Sequence, residues 1–137
     1  MNGKSVKILV AEDDDVDFMA IQRSFAKLKI ANEILRAIDG LDALKILRGG
    51  ALTRPYIILL DLNMPRMDGF EFLKALRSDP KLRMDIVFVL TTSRADEDKV
   101  RAYAANVAGY IVKAEAGKGF IKVATLLRHY WRIVELP

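Results

Sequence analysis

Cysteine is absent from this 137-residue chain, which removes disulfides and thiolate metal sites from consideration. Histidine is nearly absent. The single one, His129, falls on the polar arc of the last helical segment and does not suit a phosphohistidine site. No apolar run approaches the ~18 residues of a membrane span, so no membrane association is expected. Gly-, Pro- or Ser-rich linkers and internal repeats are also missing. Positive charge is not concentrated anywhere. A net charge of +4 and a pI near 9.4 invite a nucleic-acid reading. The basic residues are interspersed with acids throughout, however, so a mixed solvated surface with no direct nucleic-acid contact is the expectation. The first strand-like segment follows Met1–Ser5 directly, which leaves no room for a signal peptide. Together with the lack of cysteine, this makes the cytoplasm the expected location.

What is present fits one globular domain over 1–137, with 52% hydrophobic and 29% charged residues. Strand-like and helix-like segments alternate. Apolar runs predict strands over 6–11, 33–38, 56–60, 86–90 and 109–112. Helices are predicted over 15–29, 41–48, 69–77, 95–105 and 117–134. Asp39-Gly40 offers an N-cap, Gly49-Gly50 stops a helix, and Asp68-Gly69 and Ser78-Asp79-Pro80 bracket the third helix. Five strands alternating with five helices imply a doubly wound parallel sheet covered on both faces. The flavodoxin-like order 2-1-3-4-5 is the expected topology, with strands 1 and 3 flanking the switch point.

Chemistry concentrates at the strand ends. Tyr56-Ile57-Ile58-Leu59-Leu60 runs into Asp61, and Val6–Ala11 runs into Glu12-Asp13-Asp14-Asp15. The expected topology gathers Glu12, Asp13 and Asp61 at one sheet edge. Like charges ~4 Å apart repel by roughly 4 kcal/mol per pair at an effective dielectric near 20. A cation is therefore needed, and oxygen donors suit a hard divalent metal such as Mg²⁺. The fourth strand ends in Thr91-Thr92 and the fifth in Lys113. A hydroxyl and an ammonium beside an acid cluster are what phosphoryl chemistry requires, with an aspartate able to attack phosphorus.

These residues resemble the receiver domain of bacterial response regulators, across the chain from Ile8 to the last helix. The resemblance rests on four features in order: the acid pair Glu12-Asp13; Asp61 within Leu59-Leu60-Asp61-Leu62-Asn63-Met64-Pro65-Arg66-Met67-Asp68-Gly69; Thr91 followed by a small residue; and Tyr110 three residues before Lys113. It implies that Asp61 is the phosphoacceptor, and that Glu12 and Asp13 bind Mg²⁺ with Asp61 and the Asn63 backbone carbonyl. It further implies that Thr91 and Lys113 contact the phosphoryl group, and that Tyr110 is a switch aromatic. The wording around Asp61 and the ending Val134-Glu135-Leu136-Pro137 look most like the short regulators paired with phytochrome-type histidine kinases. A sensor histidine kinase is then the phosphodonor. The downstream partner is a target protein or a phosphotransfer protein, since no output domain is expected after the last helix.

One position departs from the family pattern. The lysine is normally followed by proline, and here Lys113 precedes Ala114. A trans Lys113–Ala114 peptide is expected, because a non-proline cis bond costs ~2.5–4 kcal/mol. Lys113 is expected to reach the site only when phosphate is present. Local alternatives are that Asp14 or Asp15 caps the first helix, that Asp17 serves the helix dipole, and that Thr91 or Thr92 caps the fourth helix. Other functions fit less well. A flavin or nucleotide binder needs a phosphate loop after strand one, where four acids stand. A metal-dependent phosphatase would need an acid where Asn63 is. A receiver locked in one state is opposed by the intact acids.

The last helix looks over-supplied with apolar residues. Its sheet-covering subset is Phe120, Ala124, Leu127, Trp131 and Val134, enough for an apolar stripe of ~100°. Val123, Leu126, Tyr130 and Ile133 are left over, with Leu136 in an apolar extension over 130–137. These residues predict a homodimer surface, the alternative being a tail folded back over its own domain.

Overall fold

The computed structural model describes residues 5–137. Five parallel strands form one sheet in the order β2-β1-β3-β4-β5: β1 (Lys7–Ala11), β2 (Ile34–Ala37), β3 (Tyr56–Leu60), β4 (Val87–Thr91) and β5 (Gly109–Val112). The connecting helices are α1 (Asp15–Lys27), α2 (Gly40–Arg48), α3 (Gly69–Ser78), α4 (Asp96–Ala104) and α5 (Ile121–Ile133). This is the expected flavodoxin-like order. Among the described residues no helix is long and apolar enough to cross a membrane.

Side chains alternate across a strand, and both faces are buried here. Leu9, Ala11, Ile58 and Leu60 point toward Leu44, Phe72, Leu73 and Leu76, beneath α2, α3 and α4. Ile8, Val10, Ile57 and Leu59 point toward Phe18, Ile21, Phe25, Leu127 and Trp131, beneath α1 and α5. Burial on both sides explains why β1 and β3 read as unbroken apolar runs rather than alternating ones. Each such large side chain contributes ~1.5–3 kcal/mol relative to an exposed position.

The loop from β3 to α3 is tightly held. Asp68 and Glu71 form a reciprocal capping box at the start of α3. A Cβ on Gly69 would lie 2.7 Å from both the Asp61 carbonyl oxygen and the Leu62 Cα. Only glycine lets α3 begin this close to the end of β3. On the far side, the Gly40 N–H donates to the Met67 carbonyl (2.9 Å) and the Arg66 guanidinium pairs with buried Asp39.

Two expectations change at the C-terminal end. The last helix starts at Ile121 rather than 117, because Gly117, Gly119 and Phe120 all have positive φ (80°, 61° and 61°). Residues 113–120 form two short 3₁₀ turns instead. The expected dimer patch is also largely consumed by the protein's own core. Val123 is 1% exposed. Tyr130 packs edge-on against Phe88, with ring centroids 4.9 Å apart, and Leu136 packs on the α1/α5 core. The reason is that α5 packs on α1 as well as on the sheet, so its buried arc is wider than a single-contact helix needs. Leu126 and Ile133 alone of that set stay exposed.

At the other end of the sheet, the Tyr56 hydroxyl donates to Asp85 Oδ2, and Arg54 pairs with Asp85 Oδ1 at 2.8 Å. Burial, reinforced by Asp85, pushes the Tyr56 phenol well above its ordinary value. A group whose folded pKa is raised contributes its stability below the unfolded value of ~10 and loses it as pH rises through the folded one. The contribution is therefore fully present at neutral pH. We expect Tyr56→Phe to destabilise the fold by about 1–3 kcal/mol, since Asp85 Oδ2 loses a buried donor. Chemical denaturation at pH 7 checks this, and an unchanged midpoint would refute it.

Candidate functional site

The β1–β3 pairing puts Ala11 opposite Leu60, so the residues that follow, Glu12 and Asp61, leave the sheet side by side. The strand order reverses here, with β2 and β3 on opposite sides of β1, and a crevice opens at the carboxyl ends. Backbone bonds fix both residues: Asp61 N–H donates to the Ala11 carbonyl (3.0 Å) and Glu12 N–H to the Ala37 carbonyl (2.9 Å).

Glu12, Asp13 and Asp61 each bring one carboxylate oxygen into a group in which all lie within 4.8 Å of one another. Glu12 and Asp61 are buried, whereas Asp13 is exposed and leaves the cluster open to solvent. Burial, reinforced by the Asp61 charge and opposed by Lys113, pushes the Glu12 carboxyl up to about 7. Three carboxylates in this spacing are hard oxygen donors that fit Mg²⁺, and a nearby cation favours their ionised forms.

Lys113 lies among these acids. Its Nζ is 2.8 Å from Glu12 Oε1, 2.7 Å from Asp17 Oδ2 and 3.1 Å from Asp61 Oδ2. Burial alone would lower the ammonium, but Asp17, Glu12 and Asp61 outweigh it and hold the pKa above its ordinary range. The peptide to Ala114 is trans, as expected. Thr91, at the end of β4, is fully buried, and its Oγ1 has no hydrogen-bond partner. A buried hydroxyl without a partner is costly, and its place at this sheet edge fits a ligand oxygen. Neither threonine caps α4. Ser93 Oγ accepts from Ala95 N–H (3.2 Å) and donates to Asp98 Oδ2 (2.6 Å). Asn63 N–H donates to Asp61 Oδ1 (3.3 Å). The half-buried Tyr110 donates its hydroxyl to the Ser93 carbonyl (3.1 Å).

The sequence reading missed two contributors. Asp17, expected as a dipole partner, grips Lys113, while Asp14 supplies the N-cap by accepting from Asp17 N–H. Arg36 on β2 donates to the Glu12 and Asp13 carbonyls (3.0 Å each), pairs with Asp15 at 2.7 Å and stacks over Phe18. It offsets the charge of four consecutive acids. The one available signal was an unexplained cation on a strand otherwise made of Ile34, Leu35 and Ala37.

Comparison with known proteins agrees with this geometry. The family described as the response regulator receiver domain matches residues 8–124. The chain is 35% identical over 127 residues to the probable methanogenesis regulatory protein FilR2 of Methanothrix harundinacea, covering 90% of this chain and 82% of that protein. It is 33% identical over 135 residues to response regulator Rcp1 of Synechocystis sp., covering 95% and 92%. Among solved structures, the phosphorylated cyanobacterial phytochrome response regulator RcpA superposes with a TM-score of 0.85 at 33% identity, over 96% of this chain and 98% of that one. The Mn²⁺-bound form of Rcp1 gives 0.84 at 33% identity, over 96% and 99%.

Trp131, the only tryptophan, is buried beside Phe25 and lines a cleft with Val6 and Pro55 at the opposite end of β1 from Glu12. Leu62 is the residue next to Asp61. Saturating Mg²⁺ should therefore leave the intrinsic fluorescence nearly unchanged. A fluorescence titration on monomeric protein checks it, and strong quenching would contradict this placement.

Proposed function

The chain belongs to the response regulator receiver family, and from that premise we propose that Asp61 accepts a phosphoryl group from a sensor histidine kinase in a Mg²⁺-dependent reaction. The observation that carries this reading is the gathering of Glu12, Asp13 and Asp61 oxygens within 4.8 Å beside the partnerless Thr91 hydroxyl. In this reading Glu12, Asp13, Asp61 and the Asn63 backbone carbonyl hold the metal. Bound there, Mg²⁺ supplies charge neutralisation between the carboxylates and the transferring oxygens.

The remaining roles belong to the chain itself. An Asp61 carboxylate oxygen attacks phosphorus, forming an acyl phosphate, while the donor imidazole nitrogen departs with the bonding electron pair and takes up a proton. Thr91 Oγ1 donates to one phosphoryl oxygen and Lys113 Nζ to another, which stabilises the charge on the transferred group. Tyr110 is the switch: its hydroxyl is bonded to the Ser93 carbonyl, two residues beyond Thr91, so movement at Thr91 is felt at its ring. The likeness to phytochrome response regulators supports a phytochrome-type histidine kinase as donor. Output passes to a downstream protein or a phosphotransfer protein, in the cytoplasm. A homodimer through α5 would use the exposed Leu126 and Ile133, and light scattering that finds a monomer refutes it.

Intact mass after incubation with acetyl phosphate and Mg²⁺ tests the assignment. The wild type should gain one phosphoryl group, whereas Asp61→Asn, or the wild type with EDTA, should gain none. Modification of Asp61→Asn would overturn the acceptor role. Asp13→Ala should weaken Mg²⁺ by roughly tenfold or more in calorimetry, the effect of losing a carboxylate ligand.

A further inference from the structure

A lysine ammonium has three N–H donors and no acceptor, and Lys113 places all three against carboxylates: Glu12 Oε1 at 2.8 Å, Asp17 Oδ2 at 2.7 Å and Asp61 Oδ2 at 3.1 Å. Two of these partners belong to the oxygen cluster suited to a divalent cation, and the third does not. We infer that Asp17 is a positioning residue that keeps the Lys113 ammonium at the site when a divalent cation takes over Glu12 and Asp61. The inference rests on the proposed reading of the site as a cation-dependent phosphoryl acceptor.

A carboxylate that coordinates a dication has less electron density to offer an ammonium, and the dication repels the ammonium directly. Lys113 therefore loses its hold on Glu12 and Asp61 at the moment its charge is needed by a phosphoryl oxygen. Its side chain is long and flexible, so without another anchor it turns to solvent. Among the described residues, Asp13 belongs to the cation cluster and the other acids of these segments are engaged elsewhere. Asp14 Oδ1 caps α1 by accepting from Asp17 N–H (2.9 Å), Asp15 is paired with Arg36 (2.7 Å), and Glu115 with Arg94 (2.9 Å). Asp17, in the first turn of α1, makes the shortest of the three contacts and is only partly exposed. With one N–H held by Asp17, the ammonium retains donors for phosphoryl oxygens.

The decisive measurement is the Lys113 Nζ–H signal in ¹⁵N-correlated NMR, assigned by its absence in Lys113→Met. In wild type the signal should be protected from exchange both without metal and at saturating Mg²⁺. Asp17→Asn should keep it without metal, where Glu12 and Asp61 suffice, and lose it with Mg²⁺. Asp17→Glu should restore it. With acetyl phosphate, Asp17→Asn should lower the limiting phosphorylation rate roughly tenfold or more, a cost of misplacing a reacting-site group, while Mg²⁺ affinity by calorimetry stays nearly unchanged. A purely structural role for Asp17 moves the melting temperature and none of these signals. The inference is overturned if the signal survives Mg²⁺ in Asp17→Asn, if that variant loses it already without metal, or if the wild type loses it on binding Mg²⁺. A wild type that does not bind Mg²⁺ overturns the inference and the metal reading together. If the wild type binds Mg²⁺ yet takes up no phosphoryl group, the acceptor reading fails alone and the NMR comparison still decides the role of Asp17.

Discussion

The parallel pairing of β1 with β3 is the constraint from which the site follows. With Ala11 opposite Leu60, the acids that follow two adjacent strands must emerge within contact distance of each other, in a region the core has already desolvated. The sheet can hold this register only if the carboxylates are neutralised. Lys113 does so from the end of β5, two strands away, with Arg36 supporting the acid loop from β2. Cations from both flanks of the sheet thus converge on acids from its centre. Removing the Lys113 ammonium would leave the buried Glu12 and Asp61 carboxylates uncompensated, which costs more than the pairs themselves contribute.

How much of this was legible beforehand depended on whether a residue's partner was local. Asp61 could be read because five consecutive apolar residues identify a strand buried on both faces, and the strand end locates the acid. The topology then brought Glu12 and Asp13 beside it, as the structure does. Asp17 could not be read in this way. Its partner Lys113 is 96 positions away, and nothing in the helix-start pattern separates a dipole partner from one side of a buried ion pair. The same difficulty made Lys113 look unplaced without a following proline. Its position is set by three carboxylates rather than by the loop that follows it, so the absence of proline leaves it in the site.

The last helix departs from its helical projection for a related reason. A helical projection counts faces but not neighbours, and α5 has two: the sheet and α1. Val123 lies in the core that α1, α5 and the sheet share, and Tyr130 extends the contact with the sheet by packing on Phe88 of β4. The early start assumed for that helix also ignored the left-handed residues Gly117, Gly119 and Phe120, which turn the chain before α5 can begin. What looked like an intermolecular patch is mainly the wider buried arc of a helix held on two sides, with the tail residue Leu136 folded onto the same core.

The anchoring of the helices is uneven in a way that bears on the proposed switch. α3 is fixed by its capping box, by the close approach of Gly69 and by Arg77, whose guanidinium donates to the carbonyls of Arg83, Asp85, Ala105 and Asn106. α4 buries only Ala102 and has no side-chain cap at its N-cap residue Ala95. Its beginning is tied instead to the loop from β4 through Ser93, which accepts from Ala95, donates to Asp98 and receives Tyr110 on its carbonyl. Elements with few buried apolar contacts open at lower free energy than the core. A force applied at Thr91 therefore meets a rigid β3–α3 loop on one side and the least anchored helix on the other. On the proposed reading, a phosphoryl oxygen that satisfies the Thr91 hydroxyl pulls on the segment that holds both α4 and Tyr110. The yielding element is then α4, because it has the least packing to lose.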